Sequence, residues 1–265
     1  MRKINILFLL CFSCFLFSAF FSAAENEKEL FMSTAERDMF ADDISYVIEK
    51  AWKKWQDSVV IGGIDVQGSR GILRPGSISE PVLTAAAIMS HLDRKDKSQS
   101  YIKCVKAAAD AVENGMRLWQ RGYTHDNIPF PQGASCSYTL PPCNNVPVSV
   151  SSGESSGDKA MTEENLYNYM IYRAPVDNKN ILLAFRCASK AIAECFKKWE
   201  ASCSIVGILA SGGIAPSPAP MGNGPGAVKG AKGNGGKLIG AYFSGGAMRD
   251  RMKEYLTRKT EPREF

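Results

Sequence analysis

Gly153-Glu154-Ser155-Ser156-Gly157 matches G-x-S-x-G, the pattern that raises a serine on a sharp strand-to-helix turn to attack a carbonyl. The preceding residues 146–152, VPVSVSS, suit a strand. Such a serine also needs a helix beginning at once, with an acid and a histidine downstream. Here the helix signal begins only near Thr162, and the two histidines, His91 and His125, both lie upstream. A Ser/Gly surface loop is therefore the preferred reading, and an exported hydrolase using Ser155 or Ser156 is the alternative. Ser156 with Lys159 also matches S-x-x-K, but no Lys-Thr-Gly accompanies it. The stretch 230–237 resembles a phosphate loop, yet Leu238 stands where a magnesium-binding Ser or Thr is required. Neither C-x-x-C nor H-E-x-x-H occurs. No catalytic residue, metal site or cofactor is expected. The densest mixture of polar and aromatic groups is 123–130, YTHDNIPF, expected to be a loop. A small-ligand site would be sought there, at Tyr123, His125 and Asp126.

Arg2 and Lys3 precede an apolar run from Ile4 to Ala24, and acidic residues begin at Glu25. Residues 1–24 are expected to be a secretory signal cleaved after Ala24, with an uncleaved anchor as the alternative. Contact with a membrane is expected only if this segment is retained. A lipoprotein reading through Cys14 fails, because greasy residues rather than a polar tether follow it. The remaining chain is expected outside the cytoplasm: periplasmic, extracellular or secreted. It then holds six cysteines, an even number that permits disulfides in an oxidising compartment. Cys136 and Cys143 bracket a short turn-prone segment and form the best local pair. Cys187 and Cys195 lie about 12 Å apart along a helix axis, too far to bridge.

These groups must be held by a frame, and the frame repeats. The segments 44–56 (ISYVIEKAWKKWQ), 108–120 (AADAVENGMRLWQ) and 188–200 (ASKAIAECFKKWE) superpose without gaps. Ile48, Val112 and Ile192 then coincide, as do Trp52, Met116 and Phe196, and Trp55, Trp119 and Trp199. Each segment has apolar residues at helical spacing: Ile44, Val47, Ile48, Ala51, Trp52 and Trp55 in the first, Val105, Ala108, Ala109, Val112, Met116 and Trp119 in the second. In the third they are Phe185, Ala188, Ile192, Cys195, Phe196 and Trp199. One stripe of each helix is predicted to face a core, with lysines outward. Ile61, Gly63 and Ile64 match Ile205, Gly207 and Ile208, so an extended segment follows each helix, then Gly/Pro-rich turns. Shorter helices are predicted at 80–92, 162–172 and 246–258.

The expected fold is mainly α with short β segments, arranged as three pseudo-repeats of long helix, Gly/Pro loop and short helix around a shared core. A linker over 25–35 leads into units at 36–96, 97–177 and 178–262, all within one domain. The loop 212–246 is so rich in Gly and Pro that it is expected to be flexible.

At 265 residues, with 45% hydrophobic and 22% charged residues, the chain can bury a core and is neither collagen-like nor wholly disordered. The formal net charge is +5. Residues 229–265 carry nine basic and four acidic residues, and could attract an anionic surface. No aromatics interleave the lysines of the glycine tract, so no specific nucleic-acid partner is expected. Because the repeat conserves core positions and repeats no acid, base or nucleophile, the expected function is non-enzymatic. A triplicated helical scaffold would present loops to a protein partner in an envelope or extracellular assembly, and its threefold character would suit a symmetric partner such as a trimeric tip or tail-like machine.

Overall fold

The computed structural model describes residues 32–67, 70–78, 81–129, 148–151, 153–211 and 231–260. It is mainly helical with a small antiparallel sheet. Its α-helices are α1 (Thr34–Ser58), α2 (Ala85–Met89), α3 (Gln99–Gly122), α4 (Glu163–Arg173), α5 (Lys179–Ser202) and α6 (Gly245–Thr260). A 3-10 turn spans Asp158–Met161. The strands are β1 (Ile64–Gln67), β2 (Arg70–Leu73), β3 (Tyr123–Pro129), β4 (Val148–Ser151), β5 (Glu154–Ser155), β6 (Ser204–Ser211), β7 (Ala231–Asn234) and β8 (Lys237–Ile239).

Each long helix starts at a side-chain cap. Ser33 and Glu36 form a reciprocal capping box on α1. Ser98 accepts from the Tyr101 N–H at the start of α3, and Asn178 accepts from the N–H groups of Asn180 and Ile181 on α5. The capped ends meet one another. Ser98 Oγ donates to Glu36 Oε1 at 2.7 Å, and Asn180 Nδ2 donates to the Met32 carbonyl at 3.0 Å. The opposite ends also meet, because Trp55, Trp119 and Trp199 touch pairwise there. With both sets of ends gathered, α1, α3 and α5 run parallel.

Every residue of the three apolar stripes is buried. The shorter helices carry narrower stripes: Ala85, Ile88 and Met89 on α2, Leu166 and Met170 on α4, and Met248, Met252 and Leu256 on α6. Each seats in the groove between two long helices: α2 between α1 and α3, α4 between α3 and α5, and α6 between α5 and α1. Most of these apolar residues belong to one continuous hydrophobic cluster.

The sheet grows from the carboxyl ends of the long helices. β3 begins directly after α3, and β6 begins two residues after α5. The strand order is β4-β6-β7-β1-β2-β3-β5, with β8 also on β6, and every pairing is antiparallel. Gly63 and Gly207, at φ of 71° and 76°, supply left-handed bends beside β1 and within β6. Val66 faces Gly71 and Ala231, Arg70 faces Pro129, Ser211 faces Lys232, and Val148 faces Ile208. These registers put the last residues of β1, β3 and β6 and the first residues of β2 and β7 on one edge of the sheet, whereas Val148, the first residue of β4, lies level with Ile208, three residues short of it.

Four expectations from the sequence need correction. Of the expected loop 212–246, residues 231–234 and 237–239 are strands. The glycines there pack closely: a Cβ on Gly233 would stand 3.0 Å from Ile64 Cβ, and one on Gly236 would stand 3.0 Å from Ile208 Cγ1, so a larger residue would need these isoleucines to shift. Residues 212–230 lie outside the described residues. The 123–130 segment is not a loop, since Tyr123–Pro129 is strand β3. The helix expected over 80–92 shrinks to Ala85–Met89: Thr84, in an extended conformation, caps its start by accepting from the Ala87 N–H, while the Pro81 carbonyl accepts from the side chains of Trp55 and Gln120. The end of the expected linker 25–35 is already part of the fold, with Met32 fully buried and α1 under way at Thr34.

No disulfide joins described residues. Cys104, Cys195 and Cys203 are buried thiols. Burial pushes Cys104 and Cys203 up to about 12 and Cys195 up to about 11, so they are inert at neutral pH. Cys136 and Cys143 lie outside the described residues.

Candidate functional site

Where the helices hand over to the sheet, Trp55, Trp119 and Trp199 form a triangle. Ring centroids are 6.4 Å apart for Trp55 and Trp119, 5.8 Å for Trp55 and Trp199, and 5.3 Å for Trp119 and Trp199. Trp52 and Phe196 extend the cluster, and Ile48, Val112, Met116 and Ile192 continue it as fully buried aliphatic contacts. Edge and tilted geometries of this kind suit the ring quadrupoles.

Two indole N–H groups are tied from unit to unit, whereas that of Trp52 is buried without a partner among the described residues. Trp199 Nε1 donates to Gln56 Oε1 at 2.8 Å, and Trp119 Nε1 donates to Glu200 Oε1 at 2.7 Å. Each acceptor is the residue that follows another of the three tryptophans. The third link differs: Trp55 Nε1 and Gln120 Nε2 both donate to the Pro81 carbonyl, at 3.0 and 3.1 Å. Gln120 Oε1 is left buried without a partner among the described residues.

Beside this ring lies an acid pair. Burial raises the Glu200 carboxyl above its ordinary value; the Trp119 N–H partly offsets this, and neighbouring Asp158 adds to it. Burial also raises Asp158, against a lowering by the Ser155 N–H and by Glu200.

The G-x-S-x-G segment has a packing role in this setting. A Cβ on Gly153 would collide with the Thr124 carbonyl, and one on Gly157 with the Leu118 carbonyl. Both glycines are therefore needed for close backbone approach. Ser155 is buried, and its Oγ donates to the Trp119 carbonyl at 2.7 Å and accepts from the Gly157 N–H at 2.9 Å. Its proton is committed to the end of α3 rather than to a base. Ser156 is exposed at a neighbouring groove.

The residues expected as a ligand loop do not converge. Tyr123 is buried, and its hydroxyl accepts from the Gly153 N–H. His125 Nδ1 accepts from the Asn127 N–H at 3.2 Å, and Asp126 is exposed. Among the described residues no His, Cys, Asp and Glu cluster could hold a metal, and no helix is long and apolar enough to cross a membrane. Among the described residues of the basic carboxyl end, five cations are paired. Lys232 meets Asp65, Arg251 meets Glu194, Arg258 meets Glu254, and Arg249 and Lys253 meet Asp42.

A groove of about 730 Å³ that sequence reasoning missed opens between α3, α4 and the turn at 156–160. Its residues include Leu118, Arg121, Lys159, Asn168, Tyr169 and Tyr172. The available signal was Tyr169 and Tyr172, three apart and so on one face of a short helix. Comparison with known proteins finds no matching family model, no matching curated protein and no matching solved structure.

Proposed function

We propose that the protein is a non-enzymatic, exported interaction scaffold made of three copies of one helical unit, which presents loops to a protein partner in an envelope or extracellular assembly. Several observations support triplication. The long helices end at Ser58, Gly122 and Ser202, the spacing that superposes their sequences. Equivalent isoleucines Ile64, Ile128 and Ile208 are all fully buried. The three outer helices occupy equivalent grooves, and two of the three indoles make the same link to the next unit.

The observation that carries the functional reading is the common sheet edge. The described strand ends Arg70 on β2, Pro129 on β3 and Ser211 on β6, one from each unit, reach it together, so a partner binding there would meet all three units. The committed Ser155 hydroxyl and the paired basic helix weigh against the hydrolase and anionic-surface alternatives.

A photo-crosslinking amino acid placed at Arg70, Pro129 or Lys232, each exposed near this edge, is expected to give one common adduct in the native cell. The same probe at exposed Tyr46 on α1 is expected to give none. Absence of adducts, or equal yields from Tyr46, would overturn the edge as the contact surface. Fluorophosphonate is expected to leave Ser155 and Ser156 unlabelled. Export is tested by the mature amino terminus, expected at Glu25.

A further inference from the structure

The groove between α3 and α4 is separate from the loop-bearing edge and has its own chemistry. Tyr172, 73% exposed, is the most exposed large hydrophobic side chain among the described residues, and Leu118 beside it is 40% exposed. The Tyr172 ring is freely exposed, and 6.0 Å from it and inclined at 55° stands the ring of Tyr169, half-buried with one side packed against the core. Between them and the floor lie Arg121, Lys159 and the exposed amide of Asn168. No carboxylate lines the groove. Asp110, just beyond it, is held by Lys106 and Arg173. Arg121 and Lys159 enter no ion pair among the described residues, in contrast to the paired cations of α6. Close approach of Gly122 and Gly157 keeps the floor low enough for a flat ligand to settle.

We infer that this groove binds an acidic oligosaccharide, with the Tyr169 and Tyr172 rings against the C–H faces of sugar rings, Arg121 and Lys159 on a uronate carboxylate, and the Asn168 amide on neighbouring hydroxyls. Tyrosine offers a large amphipathic face at little conformational cost, and guanidinium pairs well with carboxylate geometry. An amide both donates and accepts, as vicinal hydroxyls require. A peptide fits less well. The walls are helix faces with satisfied backbone, so no strand can be added, and there is no deep apolar slot for an amphipathic helix.

Calorimetry on the full mature chain with tetragalacturonate tests this, with neutral galactotetraose and tetraglutamate as comparisons. Tetragalacturonate is expected to bind more tightly than either. Tyr172→Ala and Arg121→Gln should each weaken it about tenfold, the scale of one lost charge-assisted or stacking contact, with the melting temperature unchanged. Both side chains are exposed, so folding should survive, and Asn168→Ala provides a third probe. Failure of tetragalacturonate to bind would overturn the inference. Equal binding of galactotetraose would remove the role of charge, and equal binding of tetraglutamate would make this a peptide site; either overturns it. So would binding indifferent to both Tyr172→Ala and Arg121→Gln.

Discussion

Glu200 shows how one residue couples burial, hydrogen bonding and charge. Its carboxyl value is raised, so above the ordinary 4.5 the folded chain holds a proton that the unfolded chain has lost. This contribution to stability is complete at acid pH and diminishes as pH rises through the raised folded value. Glu200→Gln keeps an acceptor for Trp119 and removes the charge. Urea denaturation should find the variant's advantage over wild type growing from pH 4 to pH 8; a constant difference would refute the assignment. Glycines separate by the same kind of reasoning. Gly157→Ala drives a methyl into the Leu118 carbonyl and should cost about 1–3 kcal/mol or more. Gly246→Ala meets nothing within 4 Å in the first turn of α6 and should raise stability by about 0.4–1 kcal/mol. Both are read from the shift in denaturation midpoint.

At the scale of elements, α6 has two attachments of unequal strength. Met248 and Met252 are fully buried, whereas the ion pairs of Arg249, Lys253 and Arg258 are largely exposed. Surface pairs contribute about 0–1 kcal/mol each and are screened by salt, while a buried methionine reduced to alanine costs about 2–5 kcal/mol. Met252→Ala should therefore destabilise far more than Lys253→Ala, and 0.5 M salt should change the first loss little. Comparable losses would mean that charge, not burial, seats this helix.

For the whole molecule, the shared core has a consequence for unfolding. The three indoles report on all three long helices at once, and no long helix buries its stripe without the other two. Tryptophan fluorescence and far-ultraviolet circular dichroism should follow one coincident transition. Separate midpoints would mean that the units fold independently. The assembly also makes its indole ring imperfect at one link. Pro81 accepts from both Trp55 and Gln120 because the chain between β2 and α2 passes across the third position.

The sequence by itself determined the buried faces of the three long helices and the extended segments after the first and third, because helical periodicity and the matched Ile61, Gly63, Ile64 and Ile205, Gly207, Ile208 lie within a few residues of chain. It also identified the tryptophans as interior. Tertiary structure alone decided that 123–129 and 231–239 are strands, since their hydrogen bonds come from β2, β5, β1 and β6, far away in sequence. It alone assigned Gly153 and Gly157 to close packing rather than to a nucleophile's turn. The groove beside Tyr172 was legible only as two tyrosines on one helix face; its cations, Arg121 and Lys159, reach it from α3 and the preceding turn, and only the folded chain brings them together.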